Sequence, residues 1–132
     1  MKSCEMKRKK QAKILLVDDE PLLLLTVSSD LQDAGYTVET AEDGHRACAK
    51  LAENSYDLVV TDLVMEGIDG MQVLQEAKRC DPACCVILMT GYGDMDSAIK
   101  ALRFGADDYL LKPCKREELI FRLARCLEKR KL

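Results

Sequence analysis

The sequence has no apolar run near the ~20 residues that a membrane-spanning helix needs, and no apolar stretch follows its N-terminal charges as a secretory signal would require. It has no surplus of positive charge: 20 lysines and arginines stand against 23 aspartates and glutamates. A bulk nucleic-acid binder needs the reverse balance. The only histidine is His45 and no CxxC pair occurs, so a zinc centre would have to draw four cysteines from distant segments. The seven cysteines are odd in number and scattered, which argues against a disulfide framework; they read as small core hydrophobes in a reducing compartment. Neither GxxxxGK(S/T) nor GxGxxG is present, which leaves a nucleotide-binding enzyme without support. Internal repeats and low-complexity tracts are also absent. These absences lead to the expectation of a cytoplasmic protein, with no membrane partner and no direct nucleic-acid partner. Its 132 residues fit one domain.

What is present is a steady alternation. Residues 1–12 form a basic, polar tail with Lys2, Lys7, Arg8, Lys9 and Lys10 against Glu5 alone, expected to be a solvated, flexible leader. A domain is expected over 13–130. Short apolar strands are predicted at Lys13 to Val17, Thr37 to Ala41, Leu58 to Thr61, Val86 to Met89 and Asp108 to Leu111. Helices follow each. The first opens at Asp19-Glu20-Pro21, carries Leu22, Leu25, Val27 and Leu31 as its apolar positions, and stops at Ala34-Gly35. The second starts after Glu42-Asp43-Gly44 and carries Ala47, Leu51 and Ala52. The third carries Val73, Leu74 and Ala77 and closes at Asp81-Pro82. The fourth runs from Asp94 to Phe104, and the last from Glu117 to Lys129 with Leu119, Ile120, Leu123 and Leu127 on one side. Five βα units in succession predict a parallel sheet with helices on both faces. Five are too few for a closed eight-stranded barrel, so the fold class is α/β with an open, doubly wound sheet.

Three apolar strands end abruptly in groups able to do chemistry: Asp18-Asp19 after the first, Asp62 after the third, Thr90-Gly91 after the fourth. Lys112 follows the fifth. Parallel strands bring all these ends to one edge, where open α/β sheets bind ligands. Clustered carboxylates raise one another's pKa unless a cation lies among them, and an all-oxygen set suits magnesium first. A metal, the Lys112 ammonium and the Thr90 hydroxyl around one free carboxylate are the parts needed for phosphoryl transfer to Asp62. Each residue alone has a structural reading. Asp19 would cap the first helix, Asp62 would merely end a strand, and Thr-Gly and Lys-Pro are common turns and breaks. Five such residues at matching strand ends are harder to explain by capping.

In this order and spacing, Val17-Asp18-Asp19-Glu20, Val60-Thr61-Asp62-Leu63, Met65-Glu66-Gly67-Ile68-Asp69-Gly70, Thr90-Gly91 and Tyr109-Leu110-Leu111-Lys112-Pro113 resemble the receiver domain of two-component response regulators, from Lys13 to about Lys129. The resemblance implies a CheY-like, flavodoxin-like sheet of strand order 2-1-3-4-5. It makes Asp62 the phospho-acceptor, supplied by a sensor histidine kinase or a histidine phosphotransfer protein. Mg2+ would be held by Asp18, Asp19, Asp62 and the backbone carbonyl of Val64, with Asp18 acting mostly through water. Thr90 and Lys112 would grip the phosphoryl oxygens, Tyr109 would be the switch aromatic, and the Lys112–Pro113 bond would be cis. Signal would leave through the fourth helix, fifth strand and fifth helix, with Ala98, Ala101, Arg103, Tyr109, Arg116 and Arg122 on that face, toward an output domain, a target protein or a homodimer. Many receivers carry proline where this chain has Glu66, a fourth acid near the site expected to face solvent. Val64 and Tyr92 occupy positions that tune phosphate lifetime and lack a charged or amide group to orient water, which predicts a long-lived phosphorylated state. The competing expectation is a degenerate receiver that binds partners without phosphorylation; the intact acid set argues against it. Whether the receiver stands alone or belongs to a longer regulator or hybrid kinase is left open.

Overall fold

The computed structural model describes residues 12–91 and 94–130. The basic tail expected at 1–12 therefore lies outside the described residues apart from Ala12, as does Tyr92. Strands β1 (Lys13–Val17), β2 (Thr37–Ala41), β3 (Leu58–Asp62), β4 (Cys85–Thr90) and β5 (Asp108–Leu111) alternate with helices α1 (Pro21–Asp33), α2 (Gly44–Glu53), α3 (Gly70–Cys80), α4 (Met95–Arg103) and α5 (Arg116–Arg130). The strands form one parallel sheet in the order β2-β1-β3-β4-β5. The expected open, doubly wound architecture is the one observed.

Alternation along each strand decides the layering, because successive side chains point to opposite faces. Ile14, Leu16, Leu58, Val60, Ile87 and Met89 pack with Leu24 and Leu31 of α1 and Leu119, Leu123 and Cys126 of α5. Their neighbours Leu15, Val17, Val59, Val86 and Leu88 pack on the other face with Ala47 and Leu51 of α2, Val73, Leu74 and Ala77 of α3, and Ala98 and Ala101 of α4. Both faces are covered, so the central strands are continuously apolar. Ten of the largest side chains in these two layers are fully buried leucine, isoleucine or methionine, each contributing roughly 1.5–3 kcal/mol of transfer free energy.

Local chemistry sets the helix starts. Asp43 accepts the backbone N–H of Arg46 at 2.8 Å to cap α2, and Asp69 with Gln72 forms a reciprocal capping box at the start of α3, satisfying N–H groups that have no partner within the helix. Three expectations about helix faces fail. Leu22 and Leu25 of α1 are 75% and 68% exposed, whereas Leu24 and Leu31 are buried. Four consecutive leucines cannot share one face at 100° per residue, and packing on the sheet selected Leu24 from the run; Leu31 is buried as expected. Ala98 and Ala101, expected on the output face, are fully buried; their small side chains line the stripe by which α4 meets the sheet. Ala52 of α2 is likewise exposed rather than core. The six described cysteines divide: Cys84, Cys85 and Cys126 are buried, Cys48 and Cys114 half-buried and Cys80 exposed, all as free thiols. Burial pushes the Cys84 thiol up to about 12 and the Cys126 thiol up to about 11, which makes them packing groups rather than nucleophiles.

Candidate functional site: an acid pocket at the carboxyl edge

The ladder delivers the polar strand ends to one place. Asp18 follows β1 and its backbone N–H donates to the carbonyl of Ala41 at the end of β2, at 3.2 Å. β3 ends on Asp62, paired with Met89, and the next N–H, of Leu63, donates to the Met89 carbonyl at 3.1 Å. β4 ends on Thr90, whose carbonyl accepts the Lys112 N–H at 2.8 Å. The strand order reverses between β1 and β3, so Asp18, Asp19 and Asp62 sit at the topological switch point, where such sheets bind ligands. The Lys112–Pro113 bond is cis.

Asp18, Asp19 and Asp62 each present a carboxylate oxygen, and the three oxygens lie within 4.8 Å of one another. Asp18 and Asp62 are buried; Asp19 is exposed. The Lys112 ammonium lies 2.9 Å from Asp18 Oδ2 and 3.1 Å from Asp62 Oδ2. The other oxygens are held by backbone: Glu20 N–H donates to Asp18 Oδ1 at 2.9 Å and Val64 N–H to Asp62 Oδ1 at 3.3 Å. Burial raises the Asp62 pKa above the usual carboxylate value, opposed by the hydrogen bond and charge of Lys112 and assisted by the Asp18 charge. Burial alone would lower the Lys112 pKa; its contacts with Asp18 and Asp62 outweigh that and hold it above the ordinary lysine value.

Among the described residues, two buried side-chain polar atoms lack an aligned hydrogen bond: Asp18 Oδ2, which has only the ion-pair contact with Lys112, and Thr90 Oγ1. Such atoms are costly unless a ligand or ion completes them. Three carboxylates, two of them buried, form an all-oxygen donor set, which fits a hard divalent cation such as Mg2+. One ammonium against these carboxylates leaves the pocket short of positive charge.

Glycine shapes the loop beyond Asp62. A Cβ on Gly70 would lie 2.3 Å from the Asp62 carbonyl oxygen and 2.6 Å from Leu63 Cα. A Cβ on Gly44 would lie 2.1 Å from the Ile68 carbonyl oxygen. Both helix starts thus press against the β3–α3 loop, and only glycine permits that approach. Val64, in this loop, is 56% exposed. Glu66 is exposed and outside the carboxylate group. The acid that joins the pocket from outside that group is Glu20, whose Oε1 lies 3.4 Å from Lys112 Nζ. Its sequence signal was its position directly after Asp18-Asp19, at a helix start where it makes no capping bond. Tyr109 on β5 is half-buried against the α2–α3–α4 layer, and the neighbouring Asp108 is paired with Arg122 of α5 at 2.9 Å. Two clefts of about 420 and 270 Å3 open elsewhere, and neither touches Asp18, Asp19, Asp62 or Lys112.

Fold and pocket together define a class: flavodoxin-like, CheY-like sheets with an acidic site at the switch point. The family model of the response regulator receiver domain matches residues 14–124, and the chain belongs to that family. It is 38% identical over 128 residues to the alginate biosynthesis transcriptional regulatory protein AlgB of Pseudomonas aeruginosa, covering 97% of this chain and 28% of that protein. It is 39% identical over 118 residues to the transcriptional regulatory protein TcrA of Mycobacterium tuberculosis, covering 89% of this chain and 46% of that one. The chain thus spans less than half the length of these curated relatives. Among solved structures, a response regulator receiver domain protein from Clostridium thermocellum superposes with a TM-score of 0.87 at 37% identity, covering 91% of this chain and 97% of that one. No described helix is long and apolar enough to cross a membrane.

Proposed function

We propose that residues 13–130 are a phospho-accepting receiver in which Asp62 takes a phosphoryl group from a phosphohistidine of a sensor kinase or phosphotransfer protein. The observation that carries this reading is the grouping of Asp18, Asp19 and Asp62 within 4.8 Å, with Lys112 bridging two of them. Asp62 Oδ2 attacks phosphorus in line, the phosphorus–nitrogen bond to the donor breaks, and the donor ring, already protonated on its other nitrogen, leaves as neutral imidazole. Lys112 and the unpartnered Thr90 hydroxyl bind the phosphoryl oxygens. Asp18, Asp19, Asp62 and the Val64 carbonyl are the residues that would hold Mg2+, which when bound supplies charge neutralisation to the transferring group. The Val64 N–H keeps Asp62 Oδ1 in place, so Oδ2 is the oxygen free to react once Lys112 shifts.

Tyr109 reads the change, turning inward as Thr90 moves toward the phosphate, and the α4–β5–α5 face carries it to an output domain, a target protein or a second copy of the chain. The contributors to that face are Arg103, Tyr109, Arg116, Arg122 and the exposed Ile99, in place of Ala98 and Ala101. The names of the relatives support a place for this receiver in a transcriptional regulator, and such a regulator would work in the cytoplasm. Acetyl phosphate with Mg2+ tests the reading: label is expected on the wild type and absent from Asp62→Asn. Equal labelling of the two would overturn it. Lifetime is tested by removing the donor, and loss of phosphate within seconds would defeat the long-lived state.

A further inference from the structure

Glu20 has no role in the chemistry assigned to Asp62, yet its geometry is unusual. It is the N-cap residue of α1, where a carboxylate is stabilised by the free N–H groups and positive end of the helix. Its side chain makes no capping hydrogen bond. It reaches instead to Lys112, Oε1 to Nζ 3.4 Å, while its backbone N–H donates to Asp18 Oδ1 at 2.9 Å. One residue therefore touches both members of the Asp18–Lys112 contact.

Lys112 has two kinds of partner. Asp18 and Asp62 are buried and belong to the carboxylate group fit for a cation, whereas the Glu20 side chain is 63% exposed and stands outside it. A divalent ion on Asp18 and Asp62 sets two positive charges side by side and repels the ammonium. Of the three carboxylates Lys112 now contacts, only Glu20 would remain available to it. We propose that Glu20 is a positioning residue that receives the Lys112 ammonium when a divalent cation takes Asp18 and Asp62, and holds it at the pocket mouth where the phosphoryl oxygens arrive. This inference rests on the phosphotransfer reading of Asp62.

Calorimetric Mg2+ titration of the full chain tests it on wild type, Glu20→Gln, Lys112→Met and the double variant. Glu20→Gln is expected to weaken Mg2+ binding about 5-fold while Lys112 is present, and less than about 2-fold in the Lys112→Met background, the coupling that a double-mutant cycle isolates. Equal weakening in both backgrounds would mean that Glu20 acts on the cation by charge alone, and overturns the proposal, as does no weakening in either. Glu20→Asp supplies a second measurement independent of the Lys112 variant. It keeps the charge but is one methylene shorter, and is expected to bind Mg2+ as weakly as Glu20→Gln; wild-type affinity would overturn the proposal. A wild type that takes up no Mg2+ defeats the phosphotransfer reading together with this one. Mg2+ uptake without coupling between Glu20 and Lys112 defeats this one alone.

Discussion

The two edges of the sheet carry similar residues to opposite ends. At the amino edge each carboxylate has its own set of donors. Asp57 accepts the Lys13 N–H at 2.8 Å and Arg130 at 2.5 Å. Asp107 accepts the Val86 N–H at 2.8 Å and Lys78 at 3.0 Å. At the carboxyl edge Asp18, Asp62 and Glu20 share the Lys112 ammonium, Asp19 stands beside them, and the buried Thr90 hydroxyl lacks a hydrogen bond. One edge is complete as it stands and ties strands to helices. The other is left incomplete, at a cost in stability, so that a cation and an anion can complete it.

This contrast makes removal of a carboxylate differ in sign between the two edges, while the backbone at the carboxyl edge stays intolerant of change. The largest effect is expected from Gly70→Ala, whose Cβ would clash with the Asp62 backbone: a loss on the order of 2–3 kcal/mol in urea unfolding, with loss of Mg2+ affinity. Unchanged affinity would show that the close approach does not set the loop. Asp107→Ala, at the complete edge, leaves the buried Val86 N–H and Lys78 without their partner and is expected to cost about 1–3 kcal/mol. A neutral result would remove the contrast between the edges.

Asp62→Asn is expected to stabilise the metal-free protein, with a higher Tm at neutral pH. The sign follows from the raised Asp62 pKa. A carboxyl whose folded pKa lies above its unfolded value contributes stability below the unfolded value and loses it as pH rises through the folded value. The wild type should therefore fall behind Asp62→Asn as pH climbs through the carboxylate range, and the gap should then stay level. A gap that is constant from acid to neutral pH would mean that Asp62 ionisation is not the cause. The smallest effect is expected from Arg130→Met. It breaks partly exposed contacts with Asp57 and Asp81 and a hydrogen bond to the Ala83 carbonyl, worth about 1 kcal/mol or less together. Denaturant unfolding measures it, and a loss above about 2 kcal/mol would mark the α5 terminus as a true lock.

Helix faces were less legible than strands. In α1 the run Leu22 to Leu25 offers several apolar stripes, and nothing local chooses among them; the sheet and α5 chose Leu24, on the stripe that also carries Leu31. In α4 the same ambiguity put Ala98 and Ala101 on the wrong side. The acid group was legible because each member ends an apolar strand, a position that parallel pairing carries to a common edge. Glu20 was not, because its role depends on Lys112, 92 residues away in sequence.

The sequence by itself determined the five βα units, the open parallel sheet and the strand ends that bear Asp18, Asp62, Thr90 and Lys112. These follow from periodicity and from turn and cap chemistry, which act over a few residues. Only the tertiary structure decided which leucines enter the core, how closely Gly44 and Gly70 approach the β3–α3 loop, and that Lys112 has Glu20 as well as Asp18 and Asp62 for company. Those are contacts between distant segments, fixed by packing and charge in three dimensions, and no local pattern encodes them.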